Sequence, residues 1–262
     1  MARPDFQPDQ FTATFRCFGG LQKLLVRRYR EMPVEYRFRG HPGVKDAIEA
    51  LGVPHTEVEA ILANGRSVGF DHQLQPGDAI DVYPVFAPVP AQLLRPLSPQ
   101  PPDPAAFILD VHLGKLARRM RLLGFDCLYD NHYGDAEIIR LASDRERIIL
   151  TRDRGLLKHR QVRHGYLVRS DFVAVQVREV LARYRLSALV RLWRRCMTCN
   201  GLLEQVEKSA VEHCLEPKTR LYYHNFHRCT VCGRLYWPGS HYAGIQCWLE
   251  SVLDPEPSAP DS

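Results

Sequence analysis

The sequence predicts an α/β protein: a parallel sheet flanked by helices, preceded by a smaller α+β domain and followed by a small cysteine-bearing ribbon. Three observations carry that expectation. Eight prolines between Pro84 and Pro104 deny that stretch both helix and sheet ladders and divide the chain. Downstream of them, short apolar runs that end in acids alternate with segments of helical periodicity. Further on, Cys196-Met-Thr-Cys199 and Cys229-Thr-Val-Cys232 stand 29 residues apart.

The expected organisation is a flexible N-terminus (1–10), an α+β domain (11–87), a proline-rich linker (88–105), an α/β domain (106–190), a ribbon (191–250) and a disordered tail (251–262). With 45% hydrophobic and 25% charged residues the chain has globular composition, which excludes a wholly disordered protein. No apolar run approaches the roughly 20 residues of a membrane helix, and the start MARPDFQPDQFTATF lacks a secretory apolar stretch. A soluble, cytoplasmic protein with no membrane partner is expected. Charge is uneven: residues 107–195 carry 19 basic and 10 acidic side chains, net +9, against net −1 over 1–90 and net −3 over 196–262. A basic middle segment suits a polyanion, most simply nucleic acid, or is a solvated basic surface.

In the first domain FTATFRCF (11–18) and VEYRFRG (34–40) alternate like half-buried strands. Val44, Ala47, Ile48 and Leu51 recur at helical spacing and stop at Gly52 and Pro54. Asn64-Gly65 marks a hairpin, and AIDVYPVF (79–86) reads as a closing strand. This order, with the ending Leu74, Pro76, Gly77, Asp78, Ile80, Val82, Tyr83, Pro84, resembles a ubiquitin-like β-grasp of the sulfur-carrier type. Carriers end in a free Gly-Gly, whereas this chain runs on into prolines. A docking or stabilising role, with a protein partner, is therefore expected, and removal of residues 1–90 is expected to leave the chemistry largely intact.

In the second domain FILD (107–110) reads as a strand, and LGKLARRMRLLGFD (113–126) places Leu113, Leu116, Ala117, Met120 and Leu123 on one helical face that ends at Gly124. DCLYD (126–130), RIILTRD (147–153) and GYLV (165–168) read as further strands. GDAEIIRLASDRER (134–147), headed by Asp135, and FVAVQVREVLARY (172–184) read as helices. In parallel sheets ligands bind at the carboxyl ends of strands. Asp110, Asp153 and Asp171 sit at or just past such ends, and Asp135 heads a helix on the same edge. Taken singly, Asp135 reads first as a plain N-cap and Asp171 equally as a turn or surface charge, whereas Asp110 and Asp153 interrupt apolar strands and read less readily that way. Together they raise one another's pKa unless a cation compensates, which a hard divalent ion such as Mg²⁺ or Mn²⁺ does through oxygen ligands. Such an ion activates water and neutralises a phosphate in the transition state.

Two C-x-x-C pairs suit a tetrahedral, structural Zn²⁺ held by Cys196, Cys199, Cys229 and Cys232. Cys214, His213, His224 and His227 are competing ligands, and Cys17, Cys127 and Cys247 read as buried free thiols. Tyr236, Trp237 and His241 serve either the ribbon's own core or stacking on RNA bases.

The runs FILDVHLGKLARRMRLLGFD, GDAEIIRLASDRERIILTRDRGLL, RCMTCNGLL and HRCTVCGRLYWPGSH, over about 106–245, together resemble the PIN-like ribonuclease family named for the C-terminal RNase domain of the mutator-seven exonuclease. Its bacterial members often carry a ubiquitin-like domain in front. The resemblance implies a PIN-like parallel sheet, endoribonuclease activity, and Asp110, Asp135 and Asp153 as the acids that bind Mg²⁺ or Mn²⁺. Asp171 is the fourth catalytic acid, a place that Ser170 is able to take. Lys115, Arg118, Arg121, Arg152 and Arg154 are the expected RNA-binding cations, either holding phosphates or forming a solvated helix face. Arg119 stands where the family usually shows an aromatic residue, so part of the helix packing differs. The alternative function is a non-catalytic RNA-binding or adaptor module that uses the basic segment and the ribbon.

Overall fold

The structure is a computed structural model that describes residues 10–29, 33–84, 96–240 and 242–253. Most of the expected N-terminus (1–10) and tail (251–262), the linker up to residue 95 and His241 lie outside the described residues. The chain divides into two compact units: residues 1–100 with 153–167, and residues 101–152 with 168–262. No described helix is long and apolar enough to cross a membrane.

The first unit is built on strands β1 (Phe11–Cys17), β2 (Val34–Phe38), β3 (Val58–Ala63), β4 (Arg66–Val68) and β5 (Ala79–Pro84), in the sheet order β2-β1-β5-β3-β4. β1 and β5 run parallel at the centre, and the remaining pairs are antiparallel. That is the ubiquitin-like arrangement. Alternation in β1 sends Ala13, Phe15 and Cys17 inward and Thr12, Thr14 and Arg16 outward. Helix α1 (Val44–Leu51) buries Val44, Ala47, Ile48 and Leu51, and Gly52 ends it at φ +113, a left-handed position where a side chain is strained. The β3–β4 hairpin turns at Asn64 (φ 51) and Gly65 (φ 78), the two left-handed residues of a type I′ turn.

Asp78 explains the Pro-Gly-Asp segment before β5. Its buried carboxylate accepts from Asn64 Nδ2 at 2.8 Å and from the Gln75 amide at 2.9 Å, and lies 3.1 Å from His72 Nε2. Burial opposes its ionisation, but these bonds and the His72 charge outweigh burial and hold the carboxyl below the usual range.

The described end of the linker is docked: the Leu97 amide donates to the Glu59 carbonyl and the Ser98 hydroxyl to the Val58 carbonyl. Segment 153–167 belongs to this unit as well. It contains α4 (Arg154–Lys158), a helix not expected from the sequence, and β9 (Gly165–Leu167). Arg154 Nη1 donates to the Leu24 carbonyl at 2.7 Å, and Lys158 Nζ to the Glu49 carbonyl. His55 lies between the Glu49 carboxylate (2.7 Å) and the Val162 carbonyl (2.9 Å), and buried Glu57 accepts the Leu167 amide at 2.8 Å. Residues 1–90 thereby contact the segment that follows the third acid, which bears on the expectation that their removal leaves the chemistry largely intact.

The second unit contains β6 (Ala106–Leu109), α2 (Gly114–Leu122), β7 (Asp126–Leu128), α3 (Asp135–Asp144), β8 (Ile148–Thr151) and α5 (Val173–Arg183). β6 is central and pairs in parallel with both β7 and β8. Phe107, Ile108, Leu109, Ile148, Ile149 and Leu150 are fully buried, as strands covered on both faces must be. The ribbon is a three-stranded antiparallel sheet in the order β10 (Leu203–Val206), β11 (Phe226–Cys229), β12 (Leu235–Tyr236). Two short helices, α6 (Lys208–Val211) and α7 (Pro217–Tyr222), fill the interval between the cysteine pairs, and α8 (Tyr242–Leu253) follows. Residues 251–253, expected in a disordered tail, close α8, and Cys247, expected to be buried, is exposed on it.

Glu57→Ala leaves the Leu167 amide without its buried acceptor, a loss of about 1–3 kcal/mol. Hydrogen exchange at Leu167 is expected to quicken in that variant while exchange in β6 stays as in the wild type.

Candidate functional site

Asp110 follows the last residue of β6 and is 7% exposed. Its amide donates to the Leu150 carbonyl, continuing the ladder, and the fully buried Thr151 hydroxyl donates to its Oδ2 at 2.7 Å. The Thr of the ILTRD run therefore orients the first acid, a role that sequence reading missed. Its only signal was a hydroxyl among apolar strand residues.

Directly after Asp110 the chain enters a polar cleft of about 590 Å³, whose lining includes Val111, Lys115, Arg118, Tyr129, Arg152 and Asp171. Gly114 is required here: a Cβ would lie 2.6 Å from the Tyr129 hydroxyl, which donates to the Val111 carbonyl at 2.9 Å. Lys115 and Arg118, three residues apart on α2, both line the cleft, as expected of phosphate-holding cations.

Arg121 does not. Each residue turns the helix by about 100°, so steps of three fall about 60° behind, and Arg121 has rotated about 120° away from Lys115. It is 4% exposed, and its guanidinium donates to the carbonyls of Cys127 (2.9 Å), Thr198 (2.9 Å) and Met197 (3.3 Å). Burial lowers its pKa, against the nearby thiols and Asp126. The RNA-binding assignment of Arg121 is corrected to a structural one. Arg154, half-buried, donates from Nη1 to the Leu24 carbonyl at 2.7 Å.

Arg152 and Asp171, expected to bind RNA and metal separately, pair with each other at 2.5 Å, with the Asp171 side chain 77% exposed. Ser170, the alternative to Asp171, bonds instead within its own turn: its hydroxyl accepts the Phe172 amide and its carbonyl accepts Gln176 Nε2. Asp135 is the exposed first residue of α3, where Gly134 takes the cap position. Asp153 caps α4, accepting the Gly155 amide at 2.7 Å. Arg119, at the family's aromatic position, lies over the Trp248 ring at 4.5 Å, so a cation–π contact with α8 takes the place of ring packing.

Among the described residues, Cys196, Cys199, Cys229 and Cys232 form the one group of three or more His, Cys, Asp or Glu side chains close enough to share an ion, with their sulfurs within 4.8 Å of one another. Cys196 and Cys232 sulfurs are 3.7 Å apart, and Cys199 and Cys229 sulfurs 3.4 Å. Tetrahedral Zn–S bonds of about 2.3 Å require S···S near 3.8 Å, so the set fits zinc. Each pair is followed by a left-handed residue, Asn200 (φ 68) or Gly233 (φ 70), and within each pair the second cysteine's amide donates to the first cysteine's sulfur. Burial opposes ionisation of Cys196, but the Tyr236 hydroxyl at 3.0 Å and two backbone amides outweigh it and bring the thiol down to about 6. His213, His224, His227 and Cys214 stand outside the set.

The first cysteine pair is fastened to the parallel sheet through Asp126, whose position in the sequence marks it only as a strand residue. Its carboxylate accepts from Arg147 Nη1 (2.7 Å) and Asn200 Nδ2 (2.8 Å) on Oδ1 and from Arg195 Nη2 (3.2 Å) on Oδ2. Burial pushes its pKa up, but the Arg147 and Asn200 bonds and the two guanidinium charges outweigh this and hold the carboxyl below the usual range. Its contribution to stability is complete above that range and is lost only as pH falls through the depressed value.

A family model described as Mut7-C RNAse domain matches residues 105–249, and one described as Mut7-C ubiquitin matches residues 10–90. No curated protein and no solved structure matches the chain.

Two outcomes follow from this geometry. Freshly purified protein should contain about one zinc per chain by elemental analysis, and Cys229→Ser should lose it; zinc-free wild type would refute the set. Asp126→Asn strips two guanidinium groups of their counter-charge and should lower unfolding stability in urea at pH 7 by about 2 kcal/mol.

Proposed function

The chain belongs to the Mut7-C RNase family, and we propose that it is a metal-dependent endoribonuclease of PIN-like type, with the chemistry at Asp110. The observation that carries this reading is a buried carboxylate at a parallel-strand end, oriented by a threonine, in the residue that immediately precedes Val111, where the chain begins to line a cleft that also holds Lys115, Arg118 and Arg152. Cations without a carboxylate bind phosphate. In this proposal the fixed carboxylate of Asp110, one residue before that lining, would hold a metal ion against the phosphodiester.

Among the described residues, Asp110, Asp135, Asp153 and Asp171 are in no group of three or more side chains close enough to share an ion. Mg²⁺ tolerates this, because it commonly takes one or two carboxylates and completes its shell with water and substrate phosphate oxygens. In this proposal Asp110 is the fixed ligand and Asp135 and Asp153 contribute as the family motif implies. Bound Mg²⁺ or Mn²⁺ supplies an activated water and neutralises phosphate charge. Lys115 and Arg118 hold the flanking phosphates in register without reading bases. Arg152 exchanges its exposed partner Asp171 for a phosphate, a small cost since an exposed ion pair is worth about 0–1 kcal/mol.

The Arg152–Asp171 pair and the separated acids favour a second reading, a non-catalytic RNA-binding module. Cleavage decides between them. A pool of single-stranded and structured RNAs incubated with Mn²⁺ or Mg²⁺ should be cut by the wild type. Cutting should fall at least about a hundredfold in Asp110→Asn and vanish when the added metal is omitted, the ribbon zinc being left in place. RNA that is bound but uncut under all of these conditions would establish the second reading.

A further inference from the structure

We propose that the ribbon carries a second RNA site, a pocket formed by α7, β12 and the start of α8 that takes an unpaired nucleobase; this rests on the RNase reading and names how the substrate is held. The pocket has a volume of about 530 Å³, within the range of nucleotide-sized ligand sites. Five aromatic side chains line it: Tyr222, Tyr223, Tyr236, Trp237 and Tyr242. Three of these also serve the ribbon. Tyr223 and Trp237 pack on the small core of Val211, Leu215 and Phe226, and the Tyr236 hydroxyl meets Cys196.

Tyr222 serves no such purpose. It is 68% exposed at the end of α7, where a tyrosine that only filled core would be covered. An exposed ring beside an aromatic-lined cavity is the arrangement that sandwiches a base, since every base offers a π-face. Lys218 lies four residues before Tyr222 and therefore on the same helix face, and it too lines the pocket. Among the described residues, the lining holds this one cation and no carboxylate. That charge selects an anionic ligand, and a base attached to its phosphate matches both the rings and the ammonium. Thr219 and Ser240 hydroxyls at the pocket supply hydrogen bonds for a base edge. Only an unpaired base exposes that edge and both faces, so the site selects single-stranded over duplex RNA.

The test is fluorescence anisotropy of a labelled single-stranded oligouridine and of an RNA duplex of equal length. It uses the full zinc-loaded chain without added Mg²⁺ or Mn²⁺. Tyr222→Ala should weaken single-strand binding about tenfold and Lys218→Ala severalfold, with zinc content and circular dichroism unchanged. Tyr222→Phe, which keeps the ring, should bind like wild type, and duplex affinity should be the same in all variants. Wild-type affinity for the single strand in Tyr222→Ala would overturn the pocket proposal alone. Failure of the wild type to bind either RNA would overturn the RNase reading together with it. Competition by an aromatic peptide but not by free uridylate would reassign the pocket to a protein ligand.

Discussion

The carboxylate of Asp126 is the point on which the second unit turns. β7 is an outer strand, bonded to β6 on one side only, and an unpaired strand edge needs partners. Here the partners are side chains. Asn200 accepts the Cys127 amide at 3.0 Å, and Arg121 donates to the Cys127 carbonyl, so an asparagine and an arginine stand in for a neighbouring strand. Asp126 holds Asn200 in that position and neutralises Arg147 and Arg195 while doing so. Three partly buried charges are stable only as a complete set, because removal of one leaves the others without compensation. The first cysteine pair is thereby made continuous with the sheet that presents Asp110.

Much of this was legible in the sequence, and the failures share one cause. Period-two and helical patterns located β1, α1, β6, α2 and β8 to within a residue or two, because those signals are written in adjacent residues. The cysteine pairs were equally legible, since their spacing is itself the signal. Arg121 differs from expectation because a charge run looks the same whether a given cation faces solvent or a set of carbonyls. Only the helix rotation and the distant segment Cys196–Asn200 decide it. Asp126 was passed over for the converse reason: a polar residue opening a short strand carries no local mark of the two arginines and the asparagine it will meet.

Segment 153–167 bears on how the ubiquitin-like unit is understood. A detachable carrier would have no reason to place buried Glu57 on the Leu167 amide, or His55 between Glu49 and Val162. Those contacts make the unit a holder of the chain that follows the ILTRD run. The docking role expected from the absence of a terminal Gly-Gly is in this sense internal to the protein.

If Asp110 is a metal-binding carboxylate and not merely a strand-end acid satisfied by Thr151, the protein binds Mn²⁺ through it. Mn²⁺ titration of the zinc-loaded full chain, followed by electron paramagnetic resonance, tests this without requiring a substrate. Bound Mn²⁺ is expected in the wild type and its loss in Asp110→Asn, with ribbon zinc unchanged in both. Equal Mn²⁺ binding by the two proteins would contradict it.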